Sequence, residues 1–176
     1  MDLYVKSKKV IVTDKMFIAS GGEADIYAKD NLVYKLYHPG KTIALSKIQE
    51  LQELKRDNII SPKDIVYDKQ GNILGYSMTY LQDAISMCKI FTNDFRNRNN
   101  LTNEMIIELV KCLINDTKYI HSKKCLIVDG NELNYLVSKD FKVPYFIDVD
   151  SYITPSFQNG SALMDSIKDY HTKGFS

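Results

Sequence analysis

The sequence predicts an α+β fold: a five-stranded antiparallel sheet carrying one helix in the first half of the chain, then a mainly helical second half. Three observations carry this. Up to about residue 81, short β-rich runs alternate with turn residues; beyond Leu81 the pattern turns helical; and "LIVDGNELNYLVSKDFKVPYFIDVD", residues 126–150, holds short apolar runs that end in acids or an amide. With 176 residues, 44% hydrophobic and 26% charged, the chain can bury one globular core or form two small lobes sharing a cleft, and it is not a disordered tail. The change of pattern places the division at 1–81 and 82–176.

The first three strands are "MFIAS", "ADIYAKD" and "LVYKLY", the last two joined by a tight turn at Asp30 and Asn31. "KTIALSKIQELQELK" then puts Ile43, Ile48, Leu51 and Leu54 near one helical face, and Asp57-Asn58 stops it. "DIVYD" and "NILGYSMTY", joined through Lys69, Gln70 and Gly71, complete the sheet as a second hairpin. "NDFRNRNN" reads as a polar loop. Thr102 is an N-cap for "NEMIIELVKCLINDTKYIHS", a long packed helix with Ile106, Leu109, Val110, Leu113, Ile114, Tyr119 and Ile120 on a broad apolar face. "YLV" is a short strand, "VPYFIDVD" contains another, and "SALMDSIKDY" suits one short amphipathic helix through Leu163, Met164, Ile167 and Tyr170.

Charge and composition narrow the partners. A formal charge of +1, from 23 basic and 22 acidic residues, gives no overall field for nucleic acid or membrane, so an anionic ligand needs a local site. The apolar stretches fall far short of a bilayer span, and "MDLYVKSKKV" lacks the apolar core of a signal peptide, which reads as a cytoplasmic protein. Cys88, Cys112 and Cys125 are odd in number and spaced unlike a zinc site or disulfide framework; they read as small buried thiols in a reducing compartment.

The candidate chemistry lies in two places. Asp129, Asn134 and Asp148 stand at the ends of short apolar runs, where two strands can aim three oxygen ligands at a hard divalent cation; an Asp or Asn at a strand end also serves simply as a turn residue. In "IASGGEADIY", Gly21 and Gly22 lie between two strands and would let the backbone turn tightly and approach a phosphate. Lys35 sits in the apolar strand "LVYKLY", a position that wants an anion unless the stem snorkels to the edge, with Glu50 and Glu53 of the next helix as candidate partners.

In this order, "ASGGEADIY", Lys35, a helical Glu, "DGNELN" and "IDVD" resemble the protein kinase superfamily from about Phe17 to Asp150. "VDGNELNYLV" with "YFIDVDSYITPSF" is similar more narrowly to a bacterial and phage kinase-like group, in which a GDLNxxN stretch precedes IDVDS. The resemblance implies a two-lobed kinase fold and phosphoryl transfer from ATP with Mg2+, or Mn2+ in its place, onto protein Ser/Thr. Gly21 and Gly22, in a loop that Ala19 opens, would cover the nucleotide phosphates. Lys35 would bind the α/β-phosphates, held by Glu50 or Glu53. Met78 falls at the gatekeeper position, and Thr79, Tyr80 and Leu81 at the hinge that pairs with adenine. Asp129 matches the catalytic base, and Asn134 and Asp148 match the metal ligands. Asp150 is either a second metal contact or a capping residue.

The departures are definite. Ala19 and Ala24 replace the outer glycines of the loop, and Ile127-Val128 replace His-Arg before the catalytic Asp, which removes the arginine that reads a phosphorylated activation loop. Relative to a full kinase the second lobe is truncated, which implies a longer natural chain, a reduced kinase stabilised as a homo-oligomer, or a degenerate relative. Two other readings therefore stand beside the protein kinase: a pseudokinase serving as a nucleotide-binding or interaction module, and a small-molecule kinase, which shares the Asp-to-Asn spacing.

Overall fold

The structure is a computed structural model, and it describes residues 1–158. The amphipathic helix expected in "SALMDSIKDY" lies outside the described residues. The described residues divide into two compact units, one formed by 1–53 and 60–82, the other by 54–59 and 83–158. The fold is mixed α and β, with antiparallel sheets and few helices.

The first unit is built on strands β1 (Asp2–Val5), β2 (Lys8–Ile11), β3 (Phe17–Ser20), β4 (Ala24–Lys29), β5 (Leu32–Tyr37), β6 (Asp64–Tyr67) and β7 (Ile73–Thr79), in the sheet order β2-β1-β6-β7-β5-β4-β3. Seven strands, rather than the expected five, result from the hairpin β1-β2. It was hidden because both residues of its turn, Lys6 (φ 46°) and Ser7 (φ 64°), adopt the positive φ that a two-residue hairpin needs without the usual Asn or Gly to signal it. Its alternation is nevertheless real: Leu3 is fully buried and Val5 nearly so, and both join Val12, Tyr34, Leu36 and Val66 in one core. The β4-β5 pair runs in register from Ala24↔Tyr37 to Lys29↔Leu32, closed at Asp30 with φ 55°.

Helix α1 (Leu45–Leu51) is half the length its periodicity predicts. Ile48 and Leu51 are buried on it, while Ile43 and Leu54 are buried beside it in irregular backbone. Glu50 thus stands on the helix, half-buried, whereas Glu53 is exposed and lies beyond its end.

The second unit contains β8 (Ile85–Ser86), α2 (Asn93–Arg98), α3 (Asn103–Ser122), β9 (Tyr135–Val137) and β10 (Pro144–Phe146), with the three strands in the order β10-β9-β8. The expected polar loop "NDFRNRNN" is helix α2. One aromatic anchors it, Phe95, edge-on to Phe141 with centroids 6.0 Å apart, and Arg98 pairs with Asp94 one turn back. Thr102 caps α3 by accepting from the Met105 N–H, so the cap and the extent of this helix match the sequence reading. Its apolar face is only half covered: Leu109 and Ile120 are buried, but Ile107, Val110 and Ile114 are exposed. Among the described residues no helix is long and apolar enough to cross a membrane.

Candidate functional site

In the second unit, one short stretch gathers the acids and amides. Asp129 follows the buried Val128, and a single 3-10 turn, Glu132–Asn134, leads directly into β9. The Asn134 Nδ2 donates to Asp129 twice, to its carbonyl at 2.9 Å and its carboxylate Oδ2 at 3.0 Å. Asn134 thus commits its amide nitrogen to Asp129. Its carbonyl meanwhile accepts from the Ile147 N–H at 3.0 Å, one residue before Asp148. The β9-β10 pairing, Phe146↔Tyr135, sets this register. The turn that carries Asp129 and the strand end that carries Asp148 are therefore fastened together through Asn134.

Asp148 has φ 57° and ψ 35°, a left-handed conformation that Asp tolerates better than most residues, and its carbonyl accepts from the Ser151 N–H and Oγ. Asp150 follows inside the next 3-10 turn, half-buried. The electrostatics record the acids: burial first, and then the charge of Asp129, raises the Tyr135 phenol above its ordinary 10.0. Burial, then Tyr135 and then Asp148, holds the Tyr152 phenol well above it.

Among the described residues no three His, Cys, Asp or Glu side chains gather into a metal-binding group. Asn134 with Asp148 and Asp150 is a hard-oxygen set that suits Mg2+ only where a nucleotide's phosphate oxygens complete the shell, which is how that ion is usually held.

The first unit positions the other candidates. Lys35 is 7% exposed in the middle of β5, between Tyr34 and Leu36, whose side chains enter the core; strand alternation puts Lys35 on the opposite face. Its ammonium lies 5.8 Å from the centre of the Tyr37 ring. Met78 and Thr79 pair with Val33 and Leu32, and the Tyr80 N–H donates to the Asn31 carbonyl at 3.0 Å, just ahead of the half-buried Leu81.

Between β3 and β4, neither Gly21 nor Gly22 has a positive φ, so a tight turn is not the reason for either glycine. A Cβ on Gly22 would meet nothing within 4 Å. The loop is held by polar side chains the sequence reading passed over. The Ser20 Oγ donates to Asp25 Oδ1 at 2.6 Å, the His38 Nε2 lies 3.1 Å from the same oxygen, and Lys41 reaches Glu23 at 3.3 Å. The hydrogen bond from Ser20, then that from His38, lowers the Asp25 carboxyl below 3.8. Ala19 lies on β3 opposite Ile26, and Ala24 is buried opposite Tyr37.

A further network pins residues 54–59 within the second unit. Asp116, a buried acid of α3, accepts from the Arg56 guanidinium and, at 2.6 Å, from the Asn58 Nδ2. Asn58 also donates to the Pro144 carbonyl and accepts from the Phe146 N–H, while Arg56 stacks 4.1 Å over Tyr119. Asp116 gives no sequence signal, since one acid inside a long helix reads as a solvated face.

No known family model matches the chain, and no curated protein matches it.

Proposed function

We propose that this chain is a kinase-like phosphotransferase of two lobes, moving the γ-phosphoryl group of ATP onto a protein Ser or Thr hydroxyl. The observation that carries the reading is that Asn134 holds the Asp129 carboxylate through its side-chain amide and, through its backbone carbonyl, the Ile147 N–H next to Asp148. A turn-residue role would account for Asp129 or Asp148 separately; it gives no reason for a side-chain amide that reaches back five residues to hold the Asp129 carboxylate.

Asp129 aligns the acceptor hydroxyl and takes its proton as the oxygen attacks the γ-phosphorus; the bond to the bridging oxygen breaks and ADP leaves with the electron pair. Each Asp129 oxygen accepts one amide N–H and keeps lone-pair capacity for that hydroxyl. Asn134, Asp148 and Asp150 would hold Mg2+, which when bound neutralises phosphate charge. Lys35 would bind the α/β-phosphates, with Glu50 or Glu53 as its carboxylate partner. Gly21 and Gly22, in the loop that starts at Ala19, would cover the phosphates, and the backbone of Thr79 and Leu81, beside Met78, would pair with adenine.

Labelled ATP, Mg2+ and generic protein acceptors test this directly. Asp129→Asn should leave nucleotide binding intact while transfer falls by roughly 10²-fold or more, because the side chain keeps its size and loses its charge. Lys35→Ala should injure both. Transfer that persists undiminished in Asp129→Asn sinks the mechanism; binding of Mg-ATP with no transfer points to a pseudokinase instead.

A further inference from the structure

We propose that Asn131 is a positioning residue for Asp129, fixing the carboxylate from the side that Asn134 does not reach. The inference rests on the phosphotransferase reading for its consequence in catalysis, and on geometry alone for the pairing.

Asn131 uses both ends of its amide. The Oδ1 accepts from the Leu133 N–H at 2.9 Å, which caps the 3-10 turn Glu132–Asn134. The Nδ2 donates to Asp129 Oδ1 at 2.6 Å, a short charge-assisted bond. Asn134 holds Oδ2 of the same carboxylate at 3.0 Å. One oxygen each is thereby tied to an amide, and two such bonds from different directions fix the plane of the carboxylate as one cannot. The bond from Asn131 also joins the carboxylate to a turn whose Leu133 N–H the same side chain caps. Shifting the turn would therefore shift the base, and placement errors of about 1 Å in such a group cost up to roughly 10²-fold in rate.

A cap alone would explain an Asn here, so the test separates the two bonds. Asn131→Asp keeps an oxygen for the Leu133 N–H, since Asp caps as well as Asn, but presents Asp129 with an acceptor instead of a donor. Asn131→Ala loses both. The expected result is that Asn131→Asp keeps its KM for ATP within about 2-fold while kcat falls roughly 10-fold or more. Asn131→Ala should lose a similar factor in kcat and melt lower as well. An Asn131→Asp protein that turns over like wild type overturns the proposal, leaving only the cap.

The pairing has a readout that needs no turnover. In 1H–15N spectra the Asn131 side-chain amide should move when Asp129 becomes Ala, while the Leu133 backbone amide stays in place. An unmoved Asn131 amide overturns the pairing. If the amide moves but the wild-type protein transfers no phosphoryl group, Asn131 does hold Asp129 and it is the phosphotransferase reading that falls, taking the catalytic role of Asn131 with it.

Discussion

Gly75 on β7 lies directly against the backbone carbonyl of Lys35 on β5, so close that a Cβ at this position would collide with the carbonyl oxygen and carbon and press on the Leu36 Cα. The obstacle is backbone in the middle of a seven-stranded sheet, which cannot swing aside as a side chain would. Gly75→Ala should therefore cost more than about 2 kcal/mol, at the upper end of ordinary overpacking. It should also displace the strand segment that carries Lys35. Denaturant midpoints for the variant and wild type check the first point. A stability loss under about 0.5 kcal/mol would mean that the two strands part easily at this place.

Removing the buried acid of the second unit is expected to be comparably severe. Asp116→Ala takes the acceptor from the Arg56 guanidinium and from the Asn58 amide, and losing hydrogen bonds to a buried charged acceptor costs about 1–3 kcal/mol. Because Asn58 also holds Pro144 and Phe146, the loss should spread from α3 to β10. Amide hydrogen exchange would show this as faster exchange in both elements. Asp116→Asn, which preserves an acceptor oxygen, should lose less.

The loop between β3 and β4 should respond to acid through Asp25. Its carboxyl titrates below 3.8 in the folded protein, through Ser20 first and His38 second, so the bound network favours the charged form. A depressed folded value means that the contribution is fully present above 3.8 and is lost as pH falls through the lower folded value. The amide resonances of Gly21 and Gly22 should show a step below about pH 3.8, as Asp25 takes up its proton. Asp25→Asn should remove that transition. If the variant retains it, another group controls the loop.

The parts of this architecture that could be read in advance are those whose signal is local. Strands β4, β5 and β9 announce themselves by alternation and bounding turns, and Thr102 with the apolar repeat after it marks α3. Asp129 and Asn134 are legible together because both belong to one five-residue step into a strand. The hairpin β1-β2 was illegible because Lys6 and Ser7 adopt positive φ without looking like turn residues. Helix α2 went unseen because its only large apolar anchor is Phe95, packed on Phe141, a partner no periodicity reveals. Polar networks are hidden for a similar reason. His38 lies 13 residues from Asp25 and Asp116 lies 60 from Arg56, so neither pair leaves a pattern in the sequence, although each fixes a segment beside the candidate site. Glycine misleads in both directions: Gly75, unremarked in its strand, is sterically required, whereas Gly22 is not.

That last contrast supplies the test most specific to the loop. Folding makes no use of the missing side chain at Gly22, because a Cβ there meets nothing within 4 Å and its φ is not positive. Gly22→Ala should therefore change stability by no more than about 0.5 kcal/mol, in contrast to Gly75→Ala. If the loop covers nucleotide phosphates as proposed, the methyl group occupies the space through which backbone N–H groups approach them, and Mg-ATP affinity should fall roughly tenfold, or about 1.4 kcal/mol. Thermal-shift titrations on the two proteins measure both quantities at once. Unchanged stability with weakened nucleotide binding assigns Gly22 to a ligand; unchanged stability with unchanged binding removes this loop from the proposed nucleotide site.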